Sequence, residues 1–332
     1  MYLLAIETTG AFASVALLQA EDAAAGAGIA GASEAVAGAT GATAGVPETN
    51  AARILGVIHG SDRFSHLQNL TPQIDQILKE NGLKAGDLTA VAVSHGPGSF
   101  TGIRIGVSTA RALAQILNIP CIAVSSLEGL ALRAQEARGE APNDAARPAD
   151  ASNDAAGPTE AAAGTEPPEM AAGTEQPNAA DHLLICPALD ARRKQVYGAA
   201  YEMKDGELVC RIEEASCLMT EFLEKIDRYG AEGSPDGKNF EGILFLGDGI
   251  DTCGEIIEAW AKERPHKIFY ASKESRYQDA ETVALRGLQL YRRGEACDYM
   301  DLQPEYLRMA EAEKKLKDRM KQGRPESGSP EK

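Results

Sequence analysis

Apolar residues along this chain fall into short runs that alternate with stretches of helical period. YLLAIETTG opens with an apolar run and ends on an acid and a turn. Ala13–Leu18 and Ile54–His59 follow as two more strand candidates. Leu67, Leu70, Ile74, Ile77 and Leu78 then recur at the spacing of one helix face. Strand Ala90–Ser94, the glycine-rich loop SHGPGSFTGIRIG, a second helix and strand Cys121–Val124 complete a βαβ unit. A second half repeats the order. Strand Leu183–Leu189 ends at Asp190, and Val196–Tyr201 and Leu208–Ile212 follow. A helix near Met219–Tyr229, strand Ile243–Leu246 leading into GDG, a further helix, strand Lys267–Tyr270 and a helix over Ala280–Arg292 close the pattern.

Three strands followed by alternating helix and strand thus occur twice. That order predicts an α/β fold of the duplicated ribonuclease-H-like kind, two-lobed as in actin, Hsp70 and sugar kinases. Between the periodic segments lie two of another character. Glu21–Ala52 is almost wholly Ala, Gly, Thr and Glu, and Ala134–Asp181 adds Pro. Lacking aromatics and apolar period, neither can offset its ordering entropy, so both read as disordered insertions, the first inside a hairpin. The expected division is an N-terminal lobe over 1–133 (insertion 21–52), the 134–181 insertion, a C-terminal lobe over 182–307 and a charged tail over 308–332.

The insertions reshape the charge argument. The formal charge of the 332 residues is -16, but the first insertion has four acids and no base, and the second ten acids and two bases. Most of the acidity therefore describes the insertions rather than a binding surface, and it does not exclude a nucleic-acid partner. From Arg308 to Arg324 seven bases face three acids, a basic tail on an acidic chain. Six cysteines form no C-x-x-C pair, and no run of 18 apolar residues occurs, which suits a cytoplasmic chain without a membrane span.

Candidate chemistry centres on the loop. A Walker A motif requires a lysine, and none stands between Lys84 and Lys194. Gly96, Gly98 and Gly102 miss the dinucleotide spacing by one residue. Two readings stand: glycines for a tight strand-to-helix turn packed closely, capped by Ser99 or Thr101, or a backbone that contacts phosphate. The phosphate and adenosine positions of the superfamily would fall at Glu7 and Thr8, at Asp190, and at Gly247 and Gly249. Arg192 and Arg193, where a glycine turn would be needed, disfavour a complete ATPase site. The histidines offer no i, i+4 metal pair, and His95 near Ser99 lacks a third group to orient it as a base. No metal, cofactor or catalytic residue is therefore expected. A small-molecule kinase or ATPase and a peptidase remain as rival functions.

SHGPGSFTGIRIGVSTARALAQILNIPCIAVSSLEGLA, with LAIETTG before it and PALDARRKQVYGAAY and QPEYLR after it, closely resembles the TsaB family. Members are subunits of the bacterial complex that makes N6-threonylcarbamoyladenosine in tRNAs reading codons that begin with A. The resemblance implies a non-catalytic paralogue of TsaD that pairs with TsaD, helps recruit the ATPase TsaE, meets tRNA through the complex and can form a homodimer when TsaD is absent. TsaD carries an H-x-x-x-H metal pair that this sequence lacks. The family's helical pairing surface maps onto the His66–Leu78 and Thr101–Leu117 helices, giving interface candidates His66, Leu70, Ile74, Thr101, Arg104, Ile105, Thr109, Ala110 and Ala114. Glu7 departs from the Asp common among relatives, as do the two insertions.

Overall fold

A computed structural model describes residues 1–21, 52–60, 66–134, 182–204, 206–233, 240–272 and 275–308. The expected disorder of both insertions, and nearly all of the basic tail, lies outside these residues.

In the first sheet β1 (Tyr2–Glu7) pairs antiparallel with β2 (Ser14–Ala20), which pairs with β3 (Ala52–His59). On its other side β1 runs parallel to β4 (Ala90–Gly96), and β4 to β5 (Cys121–Ser125), for an order β3-β2-β1-β4-β5. The second sheet uses β6 (Leu183–Asp190), β7 (Gln195–Lys204), β8 (Glu207–Leu218), β9 (Gly242–Leu246) and β10 (Lys267–Tyr270) in the order β10-β9-β6-β7-β8. Read from β8, that is the first sheet's order again. The duplication inferred from the sequence is present in the topology, and the fold is α/β and ribonuclease-H-like.

The central strands are apolar throughout because both of their faces are covered. Leu4, Ile6, Val15 and Leu17 point into a core roofed by α1 (His66–Glu80) and α2 (Phe100–Leu117). Leu3, Ala5, Ala16 and Leu18 point the other way, against Val283, Ala284 and Leu288 of the last described helix, α6 (Ala280–Arg292). In the second sheet α4 (Met219–Glu232) and α5 (Gly249–Ala261) bury Phe222, Ile226, Ile250 and Ile257 over Val196, Ile243 and Phe245.

The last described helix corrects the expected domain division. Sequence order assigns Ala280–Arg292 to the C-terminal lobe, yet it packs across β1, β2, β4 and β5 of the N-terminal sheet. In exchange α3 (Ser126–Leu132), a short helix with no counterpart in the sequence reading, lays Leu127 and Leu130 against Leu183, Ile185 and Leu244 of the C-terminal sheet. Arg286 of α6 grips Glu128 of α3 through two hydrogen bonds of 3.0 Å, tying the exchanged helices together.

Beyond α6 the chain returns to the N-terminal lobe as a strap. Cys297 bridges Cys121 through two backbone hydrogen bonds, of 2.9 and 2.8 Å. Glu305 donates its N–H to the His95 carbonyl at 2.8 Å, and Tyr306 lies against Phe100 with ring centroids 4.8 Å apart.

Candidate functional site

The glycine loop leaves β4 and enters α2 with Ser99 as N-cap, its hydroxyl accepting from the Gly102 N–H at 3.3 Å. Of the two cap candidates Ser99 holds the position, and Thr101 is exposed in the first turn. The loop packs on Glu7-Thr8-Thr9, the proposed first phosphate position. A methyl group at Gly102 would run into the Thr8 carbonyl, and one at Gly98 would lie 2.7 Å from Thr9. The Thr8 hydroxyl donates to the Gly102 carbonyl at 2.8 Å, and Ser99 N–H to the Thr9 carbonyl at 2.8 Å. Here the glycines admit the chain's own backbone, so the close-packing reading holds.

Glu7 is consumed in the same way. Only 1% of it is exposed, and its carboxylate accepts from the Thr9 N–H, the Thr9 hydroxyl at 2.6 Å and the Ser94 hydroxyl. Ser126 donates to Thr9 Oγ1 at 3.0 Å. Burial raises the Glu7 carboxyl above its ordinary value, and these hydrogen bonds only partly oppose the shift. Glu7 and Thr8 therefore form an internal joint between β1, β4 and α2. Ser94 and Ser126 complete the joint; both lie in the signature stretch quoted above, but nothing in its spacing marks them as partners of Glu7 and Thr9.

Asp190, Gly247 and Gly249 do come together, again in self-contact. Asp248 Oδ1 accepts from the Asp190 N–H at 2.7 Å, and Asp190 Oδ1 accepts from the Arg192 N–H at 2.8 Å. Burial raises the Asp248 carboxyl. A side chain at Gly247 or Gly249 would strike the Ala188 carbonyl, so the GDG turn is seated on β6 itself. His95, expected to lack an orienting group, has one: Glu305 lies 3.3 Å from Nε2, while the Gln303 carbonyl lies 3.2 Å from Nδ1. Its partners are on the strap, and Ser99 serves α2 as a cap, so the two do not make a nucleophile and base. Among the described residues no group of three His, Cys, Asp or Glu side chains is placed to hold a metal. No described helix is long and apolar enough to cross a membrane.

The interface candidates divide by helix face. His66, Leu70 and Ile74 are buried beneath α1, and Ala110 and Ala114, at 0% and 1% exposure, lie beneath α2. These five belong to the chain's own interior and are not available to a partner. Small residues along α2 let it approach its own sheet. Thr101 and Arg104 are exposed, and Ile105 and Thr109 half-buried. Arg104 stacks 4.0 Å over the Phe100 ring and donates to the Tyr306 hydroxyl at 2.9 Å. The outer face of this two-helix layer also carries apolar residues that burial does not explain: Leu67 is 77% exposed and Ile116 80%.

Residues 51–155 match the family TsaD, tRNA N6-adenosine threonylcarbamoyltransferase. The tRNA threonylcarbamoyladenosine biosynthesis protein TsaB of Bacillus subtilis is 27% identical over 263 residues, 76% of this chain and 83% of that protein. The resemblance to TsaB proteins thus extends over most of the chain. TsaB of Escherichia coli is 40% identical over 74 residues, covering 22% of this chain and 32% of its own length. An uncharacterised Pseudomonas aeruginosa protein with similarity to the peptidase YeaZ shares the fold, with a TM-score of 0.56 and 22% identity over 92% of this chain and 99% of that one. The TsaD match covers β3 to α3, the stretch containing the glycine loop and both helices of the exposed layer.

Proposed function

We propose that the chain is a non-catalytic subunit in the formation of threonylcarbamoyladenosine in cytoplasmic tRNA. It pairs with a TsaD-type transferase through the outer face of α1 and α2, and the pair recruits the ATPase TsaE. The biosynthetic assignment follows from the TsaB relatives. The partner assignment draws on the family resemblance and on the likeness between this lobe and TsaD. One observation carries the non-catalytic reading: both loops at which the superfamily would hold phosphate are filled by the chain's own side chains and backbone. What the N-terminal lobe offers outward is a helical layer with Leu67 at the start of α1 and Ile116 near the end of α2. Without TsaD the same face would serve a homodimer.

Leu67→Glu and Ile116→Glu test the pairing. Both positions are open, so melting temperatures stay near that of the parent. A charge desolvated without a partner in an interface costs several kcal/mol, and each 1.4 kcal/mol is about tenfold in affinity. Association with TsaD, measured by titration calorimetry, is expected to weaken at least tenfold. Unaltered binding by both variants would place the interface elsewhere. Robust transferase or ATPase activity of the isolated chain would overturn the non-catalytic reading.

A further inference from the structure

The turn between β6 and β7 is built against local preference. Arg192, Arg193 and Lys194 adopt φ of 65°, 58° and 60° in succession, and all three are exposed. Left-handed backbone is unfavourable for a residue with a Cβ, and such turns ordinarily use Gly, Asn or Asp. Neighbouring contacts over-determine the conformation. Besides the Asp190 and Asp248 contacts, Gln195 N–H donates to the Arg192 carbonyl at 3.1 Å and Met219 N–H to the Lys194 carbonyl at 3.1 Å. From the strap, Arg308 Nη1 donates to the Ala191 carbonyl at 2.6 Å. Backbone polarity is thus satisfied within the chain, and the turn presents three consecutive long cations with a fourth beside them. Of the two carboxylates beneath, Asp190 accepts from the Arg192 N–H of the turn and Asp248 from the Asp190 N–H at the end of β6. Arg308 is also the first residue of the basic segment that ends at Arg324.

Strain retained under cationic side chains points to a ligand for them. Two arginine forks and a lysine ammonium in a fixed turn suit an extended row of phosphodiesters, which reward charge density and bidentate donors and need no pocket. We propose that the Arg192–Lys194 turn, with Arg308, is a contact for the phosphate backbone of tRNA. This rests on the tRNA reading above. Such contacts position the RNA and do not read its sequence.

The test replaces the three cations together by glycine and, separately, by asparagine. Both residues tolerate positive φ, so each triple variant keeps or gains thermal stability. Binding of an unmodified tRNA transcript to the TsaD-paired protein is followed by fluorescence anisotropy between about 50 and 200 mM salt. The expected result is at least tenfold weaker binding and a salt dependence shallower by roughly two, at about 0.7–0.9 for each phosphate left without its cation. Arg192→Lys with Arg193→Lys keeps the slope. A folded, TsaD-paired glycine or asparagine variant that binds tRNA with the parent's affinity and slope overturns the proposal. So does loss of TsaD association by those variants, which would make the turn a protein contact. If the unmodified chain fails to pair with TsaD, it is the functional reading that fails instead.

Discussion

At the scale of single residues the most informative side chain is Glu7. A carboxylate before T-T-G reads in the sequence as a phosphate position, but a motif does not say what already occupies the space in front of it. Here Thr9, Ser94 and the Gly102 loop occupy it. With its folded pKa raised above the ordinary 4.5, the native state holds its proton to higher pH than the unfolded chain does. Its contribution is therefore greatest below about 4.5 and is lost as pH rises through the folded value. Glu7→Gln, which cannot ionise, is expected to remove that part of the decline in stability with rising pH, as read by denaturant melts across a pH series. Equal slopes for the two proteins would show that burial does not control this carboxyl. Glu7→Ala instead leaves buried donors unmatched, at about 1–3 kcal/mol.

At the scale of elements, most strands and helices were legible because burial on both sheet faces makes the strands apolar runs bounded by turn residues. Lys267–Tyr270 and Ala280–Arg292 have the bounds that the pattern predicts. Helix α3 was missed because seven residues are too few to display a helical period. The stripe on α2 shows a different limit. Periodicity reveals that Ala110 and Ala114 share a buried face, but it is silent on whether the chain or a partner buries it. The structure puts them over Val91, Val93 and Leu302 in the chain's own core. Ala110→Glu is accordingly expected to abolish the cooperative melt, as an unpaired charge placed in a closed interior costs several kcal/mol. A parent-like melting temperature for that variant would restore Ala110 to the interface. Ser99→Ala, losing only a cap, is expected to cost about 1 kcal/mol.

At the scale of the whole molecule, the repeat of element order revealed two lobes, but chain order could not reveal that they exchange helices. The first insertion leaves the fold at a favourable point: Ala20 and Ala52 pair directly across β2 and β3, so the segment between them closes a hairpin. Replacing residues 22–51 by a two-residue turn should keep the cooperative melt and raise its midpoint, because about four halvings of loop length, at about 0.6 kcal/mol each, remove roughly 2 kcal/mol of closure cost. Cutting between the lobes is a different matter. A fragment of residues 1–133 retains α1 and α2 but loses α6, and with it the cover over Leu3, Ala5, Ala16, Leu18, Ala92 and Val124. It keeps α3, whose Leu127 and Leu130 would face water instead of β6 and β9. Apolar burial is the main favourable term in folding, and stripping one face of a central sheet leaves too little of it. The fragment is expected to show no cooperative thermal transition and to bind a hydrophobic dye. Joining residues 276–308 to it through a flexible linker returns α6 and the strap that reaches Cys121 and His95, and should restore the transition. If 1–133 melts cooperatively by itself, the lobes are independent and the helix exchange is not what holds them together.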